Sequence, residues 1–420
     1  MAFIVMELIA PFNVLSINHT IILQRWRAMT DYKYVIVGGG MAAESAIKGI
    51  REVDKSGTIA VFSEEKNLPY NRPPLSKALW KGDPIDSIWR KIEDDNVDFF
   101  KSTAVMSLDV TKNTVKITDG GMYHYEKLLL ATGGRPRKLP FGGDDIIYFR
   151  TFDDYETLRD LSGHAMDFVV IGGGFIGSEI AAALAMNEKN VTMIFPEEGI
   201  GSRSYPRGLS LFLNSFYKEK GVNVISGASV MNIDNKDGRL LVKSNKGGGI
   251  SADAVVAGLG IIPNDELAKS GGLAADNGII VDEFLRTSNH DIYAAGDVAN
   301  FFSLALDKRM RVEHEDNANT MGKIAGHNMA GSSEPYHHLP FFYSDLFELG
   351  YEAVGEPDSR LEIFEDWEEE FRKGVIYYGK DGVVRGVLLW NTWGMVDTAR
   401  ELITSKKKFA PDSLKGLIRD

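Results

Sequence analysis

Two acidic residues, Glu64 and Glu197, each stand about twenty residues after a glycine-rich loop, the spacing at which a carboxylate can reach the ribose hydroxyls of a dinucleotide. The first loop, Gly38-Gly-Gly40-Met-Ala-Ala43, follows Tyr34-Val-Ile-Val37; the second, Gly172-Gly-Gly174-Phe-Ile-Gly177, follows Phe168-Val-Val-Ile171. Glycines there permit a tight turn and let backbone amides approach a pyrophosphate. The N-terminus of the following helix favours its negative charge. One such loop is a weak signal. Two, each with its strand, helix and distal acid, imply that one chain holds two dinucleotides. The pair that works together is a flavin and a nicotinamide dinucleotide, FAD and NAD(H), so the expected chemistry is redox.

Composition narrows that chemistry. The 420 residues contain no cysteine, which excludes a disulfide, an Fe–S cluster, a thiolate zinc site or an active-site dithiol within the chain. Electrons must therefore travel through a bound cofactor. The eight histidines show no metal-ligand spacing, and His337-His338 beside Pro340 reads as loop. No metal is expected. A net charge of −12 disfavours nucleic-acid binding, and Lys406-Lys-Lys408 reads as a solvated stretch. At 44% hydrophobic content the chain can fill two or three domain cores. Residues 1–28 carry a short apolar run broken by Glu7 and Pro11, too short to span a bilayer. They read as a dispensable extension before Met29, with no membrane span and a cytoplasmic location expected.

Periodicity supplies the elements. Residues 32–37 read as a strand, 41–52 as its helix and 58–63 as a second strand ending at Glu64. The second unit repeats this with strand 168–171, helix 175–187 and strand 191–195. Apolar strands ending in glycine follow at 125–131, 253–260 and 291–295. The order predicts an α/β chain with two nested Rossmann-like dinucleotide-binding domains and a C-terminal α+β domain. The boundaries expected are 29–143 with 265–335, 144–264, and 336–420. In the last, Asp381-Gly382 signals a hairpin, Glu362 to Arg372 reads as an acidic linker in a solvated loop or helix, and a final helix starts near Gly394.

These motifs, with Pro69-Tyr-Asn-Arg72-Pro-Pro-Leu-Ser-Lys77, Ala131-Thr-Gly-Gly134, Ala295-Gly-Asp297, Val312-Glu-His-Glu-Asp316 and Leu389-Trp-Asn391, resemble the two-dinucleotide flavoprotein reductases, in the branch of apoptosis-inducing factor and ferredoxin/rubredoxin reductases. The resemblance covers nearly all of 30–404. It implies that Gly38, Gly40 and the amides of Met41 and Ala42 hold the FAD pyrophosphate. Glu64 takes the adenosine ribose, with Glu65 as a neighbour able to share or replace it. Arg72 comes near the phosphates, Asp297 bonds the ribityl chain, Arg150 and Thr132 also contact FAD, and Val105 touches the adenine side. Lys77 and Glu179 pair beside the reactive flavin nitrogen N5. Gly172, Gly174, Phe175, Ile176 and Gly177 form the nicotinamide loop, with Phe175 shielding the flavin face and Gly260 lining the cleft. Glu313 and His314 sit at the flavin, His314 near the pyrimidine end. Glu197 favours NADH over NADPH, because a carboxylate repels a 2′-phosphate, although Arg203 lies nearby.

The chain also departs from that pattern. Tyr343 stands in Phe342-Tyr343-Ser344-Asp345 where the family often has tryptophan. Only a short segment separates Pro357 from Gly374, where animal apoptosis-inducing factor carries a long insertion, so a DNA-binding killing role does not transfer. The leading expectation is an enzyme passing hydride from NADH to flavin. Its acceptor is an iron–sulfur protein such as ferredoxin or rubredoxin, a quinone, or oxygen. The alternative is an NADH-sensing flavoprotein acting through a long-lived charge-transfer complex and partner binding or homodimerisation. A non-turning-over structural flavoprotein is a third.

Overall fold

The computed structural model describes residues 29–92 and 96–419; the extension 1–28 lies outside them. Strand Thr30–Val37 is wholly apolar and buried from Tyr34 onward. It lies in a seven-stranded sheet between Ile59–Phe62 and Met122–Leu130, parallel to both. Such uninterrupted apolar runs are what parallel strands covered on both faces require. Val97–Phe100 extends one side, and the antiparallel pair Thr114–Ile117 and Val105–Asp109 extends the other. The seventh strand, Ile292–Ala294, joins Met122–Leu130 in parallel after the chain has built a second sheet and returned.

That second sheet is five-stranded and parallel, in the order Asn223–Ile225, Asn190–Ile194, Asp167–Ile171, Ala254–Ala257, Ile146–Tyr148. The chain leaves the first sheet through Gly134–Pro136 and comes back through Ile261–Pro263, and these two crossings pair antiparallel. Thr132 Oγ1 donates to the Asn264 carbonyl at 2.6 Å, and Asn264 Nδ2 returns a bond to the Thr132 carbonyl at 2.9 Å.

Helix Met41–Val53, which follows the first glycine loop, is crossed closely by Glu315–Met329. Small residues allow this. A Cβ on Gly322 would stand 2.3 Å from the Ala42 carbonyl oxygen, and one on Gly326 2.2 Å from that of Ala46. No such side chain fits.

The C-terminal region is a five-stranded antiparallel sheet, Phe341–Leu346, Leu349–Gly355, Val383–Trp390, Lys373–Lys380, Glu362–Glu369, followed by helix Val396–Thr404. Asp381 and Gly382 join two of these strands with φ of 55° and 79°, the left-handed pair of a tight hairpin. The expected loop or helix at Glu362 to Arg372 is instead the edge strand Glu362–Glu369. Its acids hid the strand from a charge-based reading. On an edge they face water and discourage pairing with another chain, while Asp366 turns inward to Arg419 Nη2 at 2.9 Å and the Gly416 amide at 2.7 Å.

Candidate active site

A cavity of about 1370 Å³ opens where the two parallel sheets and the C-terminal sheet meet, more than the ~300–1,000 Å³ usual for one small ligand. Gly38 shapes its floor. Its φ is +111°, and a Cβ would fall 2.1 Å from the Ala131 carbonyl oxygen, so only glycine allows this loop to pass over the neighbouring strand. Gly40 caps helix Met41–Val53 without a side-chain bond, and nothing lies within 4 Å of where its Cβ would be. The helix therefore presents uncapped amides to open space. The second loop is built alike. Gly172 (φ +115°) packs on the Gly258 carbonyl, Gly177 on that of Gly172, and Gly174 opens helix Phe175–Met186 uncapped.

Of the residues expected at the site, Gly38, Gly40, Met41, Ala42, Glu64, Glu65, Arg72, Lys77, Val105, Thr132, Arg150, Phe175, Ile176, Glu179, Gly260, Asp297, Glu313, His314 and Tyr343 all line this cavity. Gly172, Gly174, Gly177 and Glu197 do not. The first three form the turn behind Phe175, and Glu197 lies at the end of the second unit's strand, 3.0 Å from exposed Arg203.

Glu64 and Glu65 separate clearly. Glu64 is exposed and has no hydrogen bond or ion pair among the described residues. Glu65 is committed: Arg72 Nη2 lies 2.5 Å from its Oε1, and the Tyr70 hydroxyl donates to its Oε2 at 2.7 Å. Burial opposes the Glu65 charge, yet the Arg72 guanidinium holds its pKa below the ordinary value. Arg72 also donates to the Arg150 carbonyl at 3.0 Å. Arg150 in turn reaches Asp297 at 2.7 Å.

Lys77 and Glu179 meet at 2.8 Å, with side chains only 9% and 2% exposed. The Glu179 carboxylate is engaged on both oxygens. Ser76 Oγ donates to the oxygen that Lys77 uses, and Ser344 Oγ to the other, both at 2.6 Å. Lys77 Nζ also lies 5.3 Å from the Tyr343 ring centre. Sequence reasoning found the ion pair but missed both serines, although Ser76 and Ser344 lie inside segments it had singled out.

His314 caps helix Glu315–Met329 with its backbone, and its imidazole stacks on Phe342 at 4.2 Å. Burial pulls its pKa down to about 4, so it is neutral at pH 7. Burial raises the Glu313 carboxyl, and Arg311 Nη2 lies 3.0 Å from it. Arg311 Nε is buried with no partner.

Uncapped helix amides, an uncommitted carboxylate, a partnerless guanidinium nitrogen and a cavity larger than a mononucleotide needs together suit FAD. No cluster of three or more possible metal ligands occurs among the described residues, and no described helix is long and apolar enough to cross a membrane.

Residues 32–322 match the family described as pyridine nucleotide-disulphide oxidoreductase, and 325–367 and 363–405 match the C-terminal domain of mitochondrion-associated apoptosis-inducing factor. Apoptosis-inducing factor 1 of Dictyostelium discoideum is 38% identical, covering 90% of this chain and 79% of that protein. Putidaredoxin reductase of Pseudomonas putida is 32% identical over 76% and 79%. The crystal structure of a covalent putidaredoxin reductase–putidaredoxin complex superposes with a TM-score of 0.85 at 30% identity, covering 92% of this chain and 96% of that one. The disulphide of the family description has no counterpart here, since cysteine is absent; FAD and NAD(H) are the cofactors. The chain belongs to the pyridine nucleotide-disulphide oxidoreductase family, in its apoptosis-inducing factor and ferredoxin reductase branch, and is an NAD(P)H-dependent flavoprotein oxidoreductase.

Proposed function

We propose that this protein is an NADH-dependent reductase that delivers electrons to a separate acceptor, with a small iron–sulfur protein of the ferredoxin or rubredoxin type as first choice. The observation that carries the reading is the buried Lys77–Glu179 pair, set in the same cavity as an uncapped helix N-terminus and the free Glu64. FAD supplies the hydride-accepting ring when bound. Gly38, Gly40 and the amides of Met41 and Ala42 hold its pyrophosphate, Glu64 its ribose, and Asp297 with Arg150 the linking chain. Glu65 serves by holding Arg72 rather than by sharing or replacing Glu64 at the ribose, a reading supported by its ion pair with that arginine. Lys77 presents a fixed positive charge to the reacting ring, where it favours arriving negative charge, and Glu179 keeps that charge in place. Phe175, Ile176 and Gly260 bound the nicotinamide side, with Gly172, Gly174 and Gly177 shaping its loop. Glu197 selects NADH, and its pairing with Arg203 weakens that selection without reversing it. His314 stays neutral beside Phe342. The domain limits 29–143 with 265–335, 144–264 and 336–420 belong to this reading, supported by the paired crossings at Gly134–Pro136 and Ile261–Pro263.

The relative crystallised with putidaredoxin supports a protein acceptor. With a net charge of −12, an acidic acceptor needs a local basic patch, so quinone and oxygen stay in the test. A second reading is an NADH sensor that works through partner binding or homodimerisation in the cytoplasm or another compartment. Glu179 favours it, because one carboxylate binds serines from the Lys77 loop and the C-terminal sheet. Anaerobic titration with NADH, followed by mixing with ferredoxin, rubredoxin, a quinone and oxygen, decides between them. Rapid reoxidation by one acceptor establishes the reductase. Slow reoxidation by all, with an NADH-dependent change in mass, establishes the sensor. No bleaching of bound flavin by NADH refutes both.

A further inference from the structure

The redox reading, on which this inference rests, leaves one product without a receiver. Oxidising one NADH to NAD+ and sending two electrons to one-electron acceptors releases one proton inside the cavity. Charged Lys77 already donates to Glu179 and cannot take it. Glu179 accepts from Lys77, Ser76 and Ser344 on its two oxygens. The Tyr343 phenol, pushed up to about 12 chiefly by burial, is itself protonated. His314 gives a proton up above pH of about 4.

We propose that Glu315 is the proton-holding group of this site, receiving that proton at its carboxylate. Glu315 is the first residue of the helix capped by His314 and lines the same cavity as Lys77 and Tyr343. Unlike Glu313, which Arg311 holds, it has no ion pair among the described residues. It bonds Asn319 one turn on. Asn319 Oδ1 accepts from Ser45 Oγ at 3.3 Å, and Ser45 Oγ from Arg90 at 3.2 Å. Glu315 is thus tied to this cluster while it lines the cavity.

The charges facing it come from each packed element. Arg90 and Lys77 lower its pKa, Asp316 raises it, and Tyr343 on the C-terminal sheet adds to the neighbours. Arg90 is itself largely spent on Glu44, 2.8 Å away. Burial outweighs both cations, so the carboxyl's pKa is raised from its ordinary value. A carboxylate so shifted binds a proton more readily than an ordinary one and can release it before the next cycle.

The test uses the purified flavoprotein, reduced anaerobically with NADH and then mixed with ferricyanide across pH 5–9. Wild-type reoxidation is expected to rise with pH through one inflection displaced upward from the ordinary carboxylate value. Glu315→Gln should lose that inflection, slow reoxidation by about tenfold or more and reduce its solvent-deuterium effect. Glu315→Asp should restore part of each. As a readout separate from flavin kinetics, the time-resolved infrared spectrum taken during reoxidation, minus that of the reduced state, should show for wild type a transient protonated-carboxyl stretch that Glu315→Gln lacks. An unchanged inflection and an unchanged carboxyl band in Glu315→Gln overturn this inference alone. Failure of NADH to bleach the wild-type flavin overturns the redox reading and this inference with it.

Discussion

Removing Lys77 and removing Glu179 should have unequal consequences, although the two form one ion pair. Glu179 accepts three hydrogen bonds, from Lys77, Ser76 and Ser344, and is 2% exposed. Glu179→Ala strands a buried ammonium beside the Tyr343 ring and leaves two buried hydroxyls without their acceptor. Breaking a buried pair in this way costs about 3–5 kcal/mol. Lys77→Ala leaves the carboxylate two hydroxyl donors and loses one charge-assisted bond, about 1.5–3 kcal/mol. The double variant should be less destabilised than the sum of the two, because the stranded charge is gone. Function should rank the other way. Lys77→Ala removes the charge that favours hydride arrival, and a loss of roughly 1–3 kcal/mol is about one to two decades in rate. Thermal unfolding and flavin content measure the first effect, and stopped-flow reduction by NADH the second. The reasoning fails if Lys77→Ala proves the less stable variant. It also fails if both variants retain flavin and are reduced at the wild-type rate.

Three further outcomes follow from other parts of the molecule. Glu197→Ala should narrow the preference for NADH over NADPH, because it removes the ribose acceptor and frees Arg203 for a 2′-phosphate; the ratio of flavin reduction rates measures this, and a wider ratio contradicts the assignment. Gly322→Val should destabilise by at least about 1–3 kcal/mol, since its Cβ would stand 2.3 Å from the Ala42 carbonyl oxygen. It should also release FAD at a lower temperature; a melting curve matching wild type would refute the close crossing. His314 has a folded pKa near 4 against an ordinary 6.5. The unfolded chain therefore binds more protons between those values, and this contribution to stability is present above about pH 6.5 and lost as pH falls toward 4. His314→Phe, which keeps the stack on Phe342, should lose less melting temperature than wild type over that window.

The glycine loops were legible because their geometry is local. Gly38 and Gly172 are needed by a strand–turn–helix of consecutive residues, Thr30 to Val53 and Asp167 to Met186, and the distal acids follow from one further strand in the same parallel unit. The parallel sheets showed as unbroken apolar runs for the same reason. Charge density, by contrast, misread Glu362–Glu369, because side chains that face water are as common on an edge strand as in a linker.

Tertiary packing decided what contiguous residues could not. Glu64 and Glu65 are chemically equal neighbours; the return of the Arg72 loop onto Glu65 is what leaves Glu64 free. Ser76 and Ser344 reach Glu179 across 103 and 165 residues of chain. No spacing rule connects a proline-stiffened loop, a helix and a C-terminal strand. Only the closure of three sheets around one cavity does so, and it engages both carboxylate oxygens because a buried charge must be paired and hydrogen-bonded to persist there.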